Sequence, residues 1–200
     1  MQKFTRVGAG IAALGLAVFM SALGAGAASA ASPGATGPVA APPKAGQGES
    51  CWYAPDTGQG LCVKTGQDLV AAVAKQKGVH LVVPDGSVIS GVKVDAAHEA
   101  ALAPNSAQSI AVSTIYDDAS YGGSSYTMSV SSNCSANAWG FTDIGPLGWY
   151  GRVSSFKSYS GCKTAVFSST NYGGAIYGYQ VNAGSLGPMN DQAKSWRVAS

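Results

Sequence analysis

The chain has 200 residues, enough for one or two small domains, with 11% charged side chains and a formal net charge of +2. Lys3 and Arg6 carry that excess; without them ten basic residues face ten acidic ones. A neutral chain has no broad footprint for nucleic acid, whose binding depends on neutralising phosphates, and this one has no polybasic run for anionic lipid, so nucleic-acid binding and cationic membrane activity are set aside.

Residues 1–30 read as a cleaved export signal. Lys3 and Arg6 precede an apolar run from Val7 to about Leu23, and Ala28-Ser29-Ala30 is an A-x-A cleavage site. The run is rich in small residues, which argues against a transmembrane anchor, so the expectation is a secreted, extracellular protein with no membrane insertion after cleavage. Residues 31–48 are Ala, Pro, Gly and Ser with almost no bulky apolar side chains, a composition that cannot offset its ordering entropy and predicts a disordered tether.

The four cysteines, Cys51, Cys62, Cys134 and Cys162, all lie beyond the cleavage site. In an exported chain an even count favours disulfides, and no spacing is C-x-x-C. Three pairings are open; Cys51–Cys62 with Cys134–Cys162 is favoured because each pair lies within one region of the chain. The first would close a loop on Pro55-Asp56-Thr57-Gly58, a strong turn signal.

Residues 49–109 predict a small α+β unit. Thr65-Gly66-Gln67-Asp68 fits a helix start, and Leu69, Val70, Val73 and Ala74 recur at helical spacing until Gly78. Two strand-like runs, Val79 to Val83 and Ser87 to Val94, flank Asp85-Gly86 and read as a hairpin. Asp95 would cap a short helix through Leu102, ended by Pro104. The unit is an independent domain, a pro-region or a layer packed on the C-terminal half of the chain.

His80 and His98 are the only histidines. His98-Glu99 has Leu102 where the zinc-protease motif needs its second histidine, and the chain has no G-x-S-x-G, so the usual hydrolytic constellations are missing. Asp117, Asp118, Asp143 and Asp191 leave a carboxylate-only enzyme conceivable, but loop aspartates are more often turn-formers, and a non-catalytic protein is expected.

From residue 110 onward one pattern is written twice. Tyr116-Asp117-Asp118-Ala119-Ser120-Tyr121-Gly122-Gly123 returns as Phe167-Ser168-Ser169-Thr170-Asn171-Tyr172-Gly173-Gly174, and Ser154-Ser155-Phe156-Lys157 returns as Lys194-Ser195-Trp196-Arg197. Such a repeat predicts two copies of one supersecondary unit sharing a core. Strands are expected over Ile110 to Tyr116, Gly123 to Val130, Gly140 to Ile144, Val153 to Tyr159, Lys163 to Phe167, Gly174 to Val181, Ser185-Leu186 and Ser195 to Val198. After the first strand of each copy the chain must fold over tightly; the glycine permits the backbone and the tyrosine ring covers the arch.

An aromatic, four residues, an aromatic, a spacer and a glycine, with a late serine after them, resembles the signature of βγ-crystallin Greek keys of the secreted microbial type. Residues 110–200 resemble one complete two-motif domain. The resemblance implies a mainly β fold, a two-motif Greek-key sandwich, here preceded by the small α+β segment. Extra residues from Asn133 to Trp139 depart from the minimal pattern, and Cys134–Cys162 would pin that enlarged loop.

The resemblance also implies Ca2+ as the cofactor to test, at N/D-N/D-x-x-S/T-S. Tyr150-Gly151-Arg152-Val153-Ser154-Ser155 keeps both serines without the acids or amides; Asn190-Asp191-Gln192-Ala193-Lys194-Ser195 keeps the acid and amide but has Lys194 at the hydroxyl position. With each segment completed by the arch of the opposite motif, Lys194 would pair with Asp117 in place of a metal. Ser154 and the backbone at Arg152, with the arch around Ser168 and Ser169, would bind calcium weakly.

Secreted relatives of the fold include metalloproteinase inhibitors and killer-toxin-like proteins. For an inhibitor the anchors would be Trp139, Trp149 and Tyr150, unless these rings cover the core. A toxin is disfavoured by the neutral charge. The resulting expectation is a secreted, monomeric, non-catalytic binding protein, an inhibitor of a secreted peptidase, with a calcium-binding structural module as the alternative.

Overall fold

The computed structural model describes residues 40–84, 86–94, 107–135 and 137–200, all within one compact unit spanning Thr36–Ser200. The expected export signal, the first part of the tether and the Asp95–Leu102 helix lie outside the described residues. No helix among the described residues is long and apolar enough to cross a membrane.

Chain order begins with β1 (Glu49–Ala54) and β2 (Gln59–Lys64), then α1 (Leu69–Lys77), β3 (Val79–Val82), β4 (Val88–Ile89) and β5 (Val92–Lys93). The repeat comes next as β6 (Ala107–Tyr116), β7 (Ser125–Val130), β8 (Trp139–Phe141) and β9 (Ser155–Ser158), then β10 (Lys163–Phe167), β11 (Ile176–Gln180), β12 (Asn182–Ala183) and β13 (Ser195–Ala199). Seven of the eight expected repeat strands coincide with these within a few residues; the eighth forms at Asn182–Ala183, just before the expected Ser185-Leu186.

Each motif gives its third strand to the other sheet. The first sheet runs β12-β9-β6-β7, so the second motif's β12 pairs with the first motif's β9; the second runs β11-β10-β13-β8, so β8 pairs with β13. Neither motif can close without its partner, and the space between the sheets is one core. Trp149, Trp196, Tyr126, Phe156, Met128 and Ile144 fill it, all fully buried.

The N-terminal segment is a layer on this sandwich. β1 pairs in parallel with β7, adding the β1–β2 hairpin to the first sheet, and β3 pairs in parallel with the start of β6. α1 and the β4–β5 ribbon bring Leu69, Val70, Val73 and Ile89 into a second buried cluster with Trp52, Leu81, Ala111 and Tyr159. The sheet is therefore buried on both faces, and all six residues of β7 are buried, including Ser125, Thr127 and Ser129. Their hydroxyls pair rather than face water: Ser129 Oγ accepts from the Trp52 indole at 2.7 Å and meets Ser109 Oγ at 2.6 Å, and Ser125 Oγ meets Ser90 Oγ at 2.8 Å.

Three local expectations shift. The helix starts at Leu69 because Asp68, not Thr65, caps it, accepting the Ala71 N–H at 2.9 Å; Gly78 ends it as expected, left-handed at φ 63°. The two runs around Asp85-Gly86 do not pair with each other. Val79–Val82 joins β6, while the second run folds on itself at Ser90-Gly91, where φ of 53° and 82° satisfies a two-residue hairpin turn. The tether is docked from Ala40 onward: Tyr53 and Tyr126 phenols donate to the Ala40 and Pro43 carbonyls at 3.0 Å, and the Ala45 N–H donates to Leu147 O at 2.8 Å. Composition missed this because the partners lie in the domain, not in the segment.

Both disulfides form as favoured, Cys51–Cys62 between paired residues of β1 and β2 and Cys134–Cys162 between the enlarged loop and the approach to β10. Burial pushes the phenols of Tyr116, Tyr126 and Tyr159 above their ordinary value. The folded state therefore favours the neutral phenol, and its stability is fully present below the unfolded value of about 10. Denaturant midpoints measured across alkaline pH should fall above about 10 in step with loss of these three neutral rings, and a midpoint flat to pH 12 would contradict the packing.

Candidate cation site

Each arch is fastened by the serine that opens the motif's last strand. In the first, Ser155 Oγ accepts the Tyr121 N–H at 3.1 Å and donates to the Asp118 carbonyl at 2.6 Å; in the second, Ser195 Oγ accepts from Tyr172 at 3.1 Å and donates to Ser169 O at 2.7 Å. The next residue enters the core as Phe156 or Trp196, and the one after lays a cation over the arch tyrosine, Lys157 4.4 Å from the Tyr121 ring and Arg197 5.2 Å from Tyr172. Tyr116 meets Tyr121, and Phe167 meets Tyr172, with centroids 5.9 and 5.6 Å apart.

That register decides where the preceding residue falls. β9 runs antiparallel to β6 with Ser155 opposite Tyr116, so Ser154 arrives at Asp117, in the arch of its own motif. Its N–H donates to Tyr116 O at 2.9 Å, and its hydroxyl lies 2.7 Å from the Asp117 carbonyl and 3.1 Å from Asp191 Oδ1. Asp191 comes from the second motif, at φ 57°, with its N–H on Val153 O at 3.0 Å and its other carboxylate oxygen accepting from the Asn190 amide at 2.8 Å. Two acceptor oxygens thus converge on the one Ser154 hydroxyl proton, which can serve only one of them at a time.

Arg152 stands behind this cluster. Its guanidinium donates to Asp117 Oδ2 at 3.0 Å and Gly148 O at 3.0 Å, reaches Ala45 O and Gly46 O at 3.4 Å, and lies 4.6 Å from the Trp149 ring centre. The pair is largely desolvated, with side chains 11% and 18% exposed, and Asp117 Oδ1 is buried without a hydrogen-bond partner.

The second arch has a different donor set. Lys194 occupies the position of Ser154, its N–H on Phe167 O at 2.7 Å, and Gly151, at φ 66°, has the place in its segment that Asp191 has in the other. An ammonium and a glycine offer calcium no side-chain oxygen, so the donor set of this arch fits the ion poorly, whereas the Asp117 carbonyl, Ser154 hydroxyl and Asp191 carboxylate fit it.

The structure therefore regroups the expected residues. Ser154, Arg152, Asp117 and Asp191 come together in one site; Ser169 lies at the other arch, tied to Ser195. Asp117 pairs with Arg152 rather than Lys194. The reason is the strand pairing: the hydroxyl position of each segment is drawn to the end of the strand beside it, and only the Asp191 position crosses between motifs. Among the candidate interface rings, Trp149 is fully buried and cannot anchor a partner, Trp139 packs against the core, and Tyr150 is 45% exposed. Tyr150 donates to Asp143, whose carboxyl is held below its usual value by that hydroxyl and the Gly145 N–H. Glu49, Cys51 and Cys62 also gather, but the disulfide leaves no thiolate for a metal.

The paired arches, the late serines and the exchanged third strands define a βγ-crystallin-like domain. The chain is similar to the N-terminal domain of Protein S (22% identity over 44% of this chain and 96% of that one, TM-score 0.36), to a βγ-crystallin domain from Clostridium beijerinckii (21%, 44% and 97%, TM-score 0.36) and to one from Flavobacterium johnsoniae (24%, 44% and 94%, TM-score 0.35). No family model matches the chain, and no curated protein matches it.

Gly123 sits under Asp117 at φ 71°, and a Cβ there would collide with the Asp117 carboxylate. Gly123→Ala should cost roughly 1–3 kcal/mol in urea unfolding, from left-handed strain and displacement of that carboxylate; a change within about 0.5 kcal/mol would show that the arch does not need the glycine.

Proposed function

We propose that the protein is an exported, non-catalytic βγ-crystallin-like module that binds calcium weakly at its first arch. One observation carries the reading: the Asp117 carbonyl, Ser154 hydroxyl and Asp191 carboxylate converge with one proton among them. Calcium takes six to eight oxygens, so these would be joined by water. A bound ion would tie the arch of the first motif to the Asn190-Asp191 turn of the second. So few protein ligands beside a guanidinium imply a dissociation constant on the order of 10⁻⁴ to 10⁻³ M, the range of extracellular modules. The two disulfides support export to an oxidising compartment.

The peptidase-inhibitor reading now stands second. It keeps Tyr150 as an exposed anchor but loses Trp149 to the core. Thermal unfolding separates the two readings. Calcium at tenfold its dissociation constant should add about 1.4 kcal/mol and raise the midpoint by roughly 3–6 °C, and chelator should reverse it. Ser154→Ala and Asp191→Asn should each abolish the rise, while Lys194→Ser should leave it unchanged. No rise in the wild type, or a rise that survives both first-arch variants, sinks the calcium reading.

A further inference from the structure

We propose that Arg152 is a resident cation of the first-arch site, setting its calcium affinity and making calcium compete with docking of the N-terminal strap Ala40–Gly48. The proposal rests on the calcium reading of the site and names how it is regulated.

Arg152 touches both the site and the strap. Toward the site it donates to Asp117 Oδ2, on the residue whose carbonyl faces Ser154; toward the strap it reaches the Ala45 and Gly46 carbonyls. The loop beneath is shaped to receive the strap. Leu147 O takes the Ala45 N–H, and Gly148, at φ 79°, lets the Ala45 carbonyl approach so closely that a Cβ would collide with it. A guanidinium keeps its proton at any ordinary pH, so its charge is a permanent part of the site. It neutralises the Asp117 carboxylate, on the residue whose carbonyl faces the site, and leaves Asp191 as the site's uncompensated carboxylate.

An incoming dication acts on this arrangement in two ways. It repels the guanidinium across a largely desolvated gap, and it draws the Asp117 carboxylate away from it. Arg152 then loses its ionic partner and moves off, and the strap loses the guanidinium contacts to the Ala45 and Gly46 carbonyls, which leaves the Ala45 N–H on Leu147 O as its hold on the loop beneath. By reciprocity, a docked strap lowers calcium affinity by the same factor by which calcium loosens the strap. Interior water is not needed for this coupling, because one planar donor group spans both ends.

Amide exchange and calorimetry on the mature chain test it. In the wild type, saturating calcium should speed exchange of the Ala45 and Gly48 amides several-fold while the core amide of Ile115 slows with the added global stability; unchanged or slower exchange at Ala45 overturns the coupling without any variant. Arg152→Gln should bind calcium at least tenfold more tightly and lose the calcium dependence of strap exchange, whereas Arg152→Lys, which keeps the charge, should stay near the wild-type affinity. If the wild type binds calcium and Arg152→Gln binds no more tightly, Arg152 does not set the affinity and the site reading survives alone. If neither binds, the site reading fails and this proposal with it.

Discussion

The structure depends on two buried hydroxyls. Ser155 and Ser195 each accept an N–H from their arch and donate to an arch carbonyl, locking a sharp, partly left-handed turn to the first residue of the motif's last strand. Everything nearby depends on that lock. The strand register it fixes sends Phe156 and Trp196 into the common core, sets Lys157 and Arg197 over the arch tyrosines, and delivers Ser154 or Lys194 to the arch mouth. A site at the first arch is thus a by-product of how the motif closes.

The two copies diverge where the fold allows it. The serine, the glycine and the aromatic pair are required for closure, and both copies keep them. The positions beside them differ between the copies. There the first arch combines Asp117, Ser154 and Asp191 with Arg152, whereas the second has Lys194 in the place of Ser154, and Gly151 stands in its segment where Asp191 stands in the other. The same pseudo-symmetry that builds both arches leaves one oxygen-rich and the other without a carboxylate. The N-terminal layer adds a further asymmetry, because it covers the outer face of the first sheet and its strap reaches Arg152 beside the first arch.

Much of this is legible in the sequence, for a physical reason. Arch positions are read from spacing, and both copies keep it because a Cβ at Gly123 or Gly174 would collide with the side chain of Asp117 or Ser168. The disulfide pairs are legible because each joins residues close in the chain. What eludes the sequence is non-local. The alternating Ser and Thr of β7 look like a solvent face, yet they are small hydroxyls that pair beneath the N-terminal layer. The Ala, Pro and Gly of residues 40–48 look unstructured, but their carbonyls are taken by Tyr53, Tyr126 and Arg152. The resemblance pairs Asp117 with Lys194 by completing each six-residue segment with the opposite motif's arch; only the β6–β9 and β10–β13 registers say which hydroxyl position faces which arch.

The central claim is that cation binding belongs to one arch alone. A ¹H–¹⁵N correlation spectrum of the protein, recorded as calcium is added, addresses it residue by residue. The account predicts shifts confined to Asp117 through Gly123, to Arg152 through Ser155, to Asn190 through Gln192 and to the strap, with Ser168 through Gly174 unmoved. Shifts centred on the second arch, or a spectrum that calcium leaves unchanged at millimolar concentration, would contradict it.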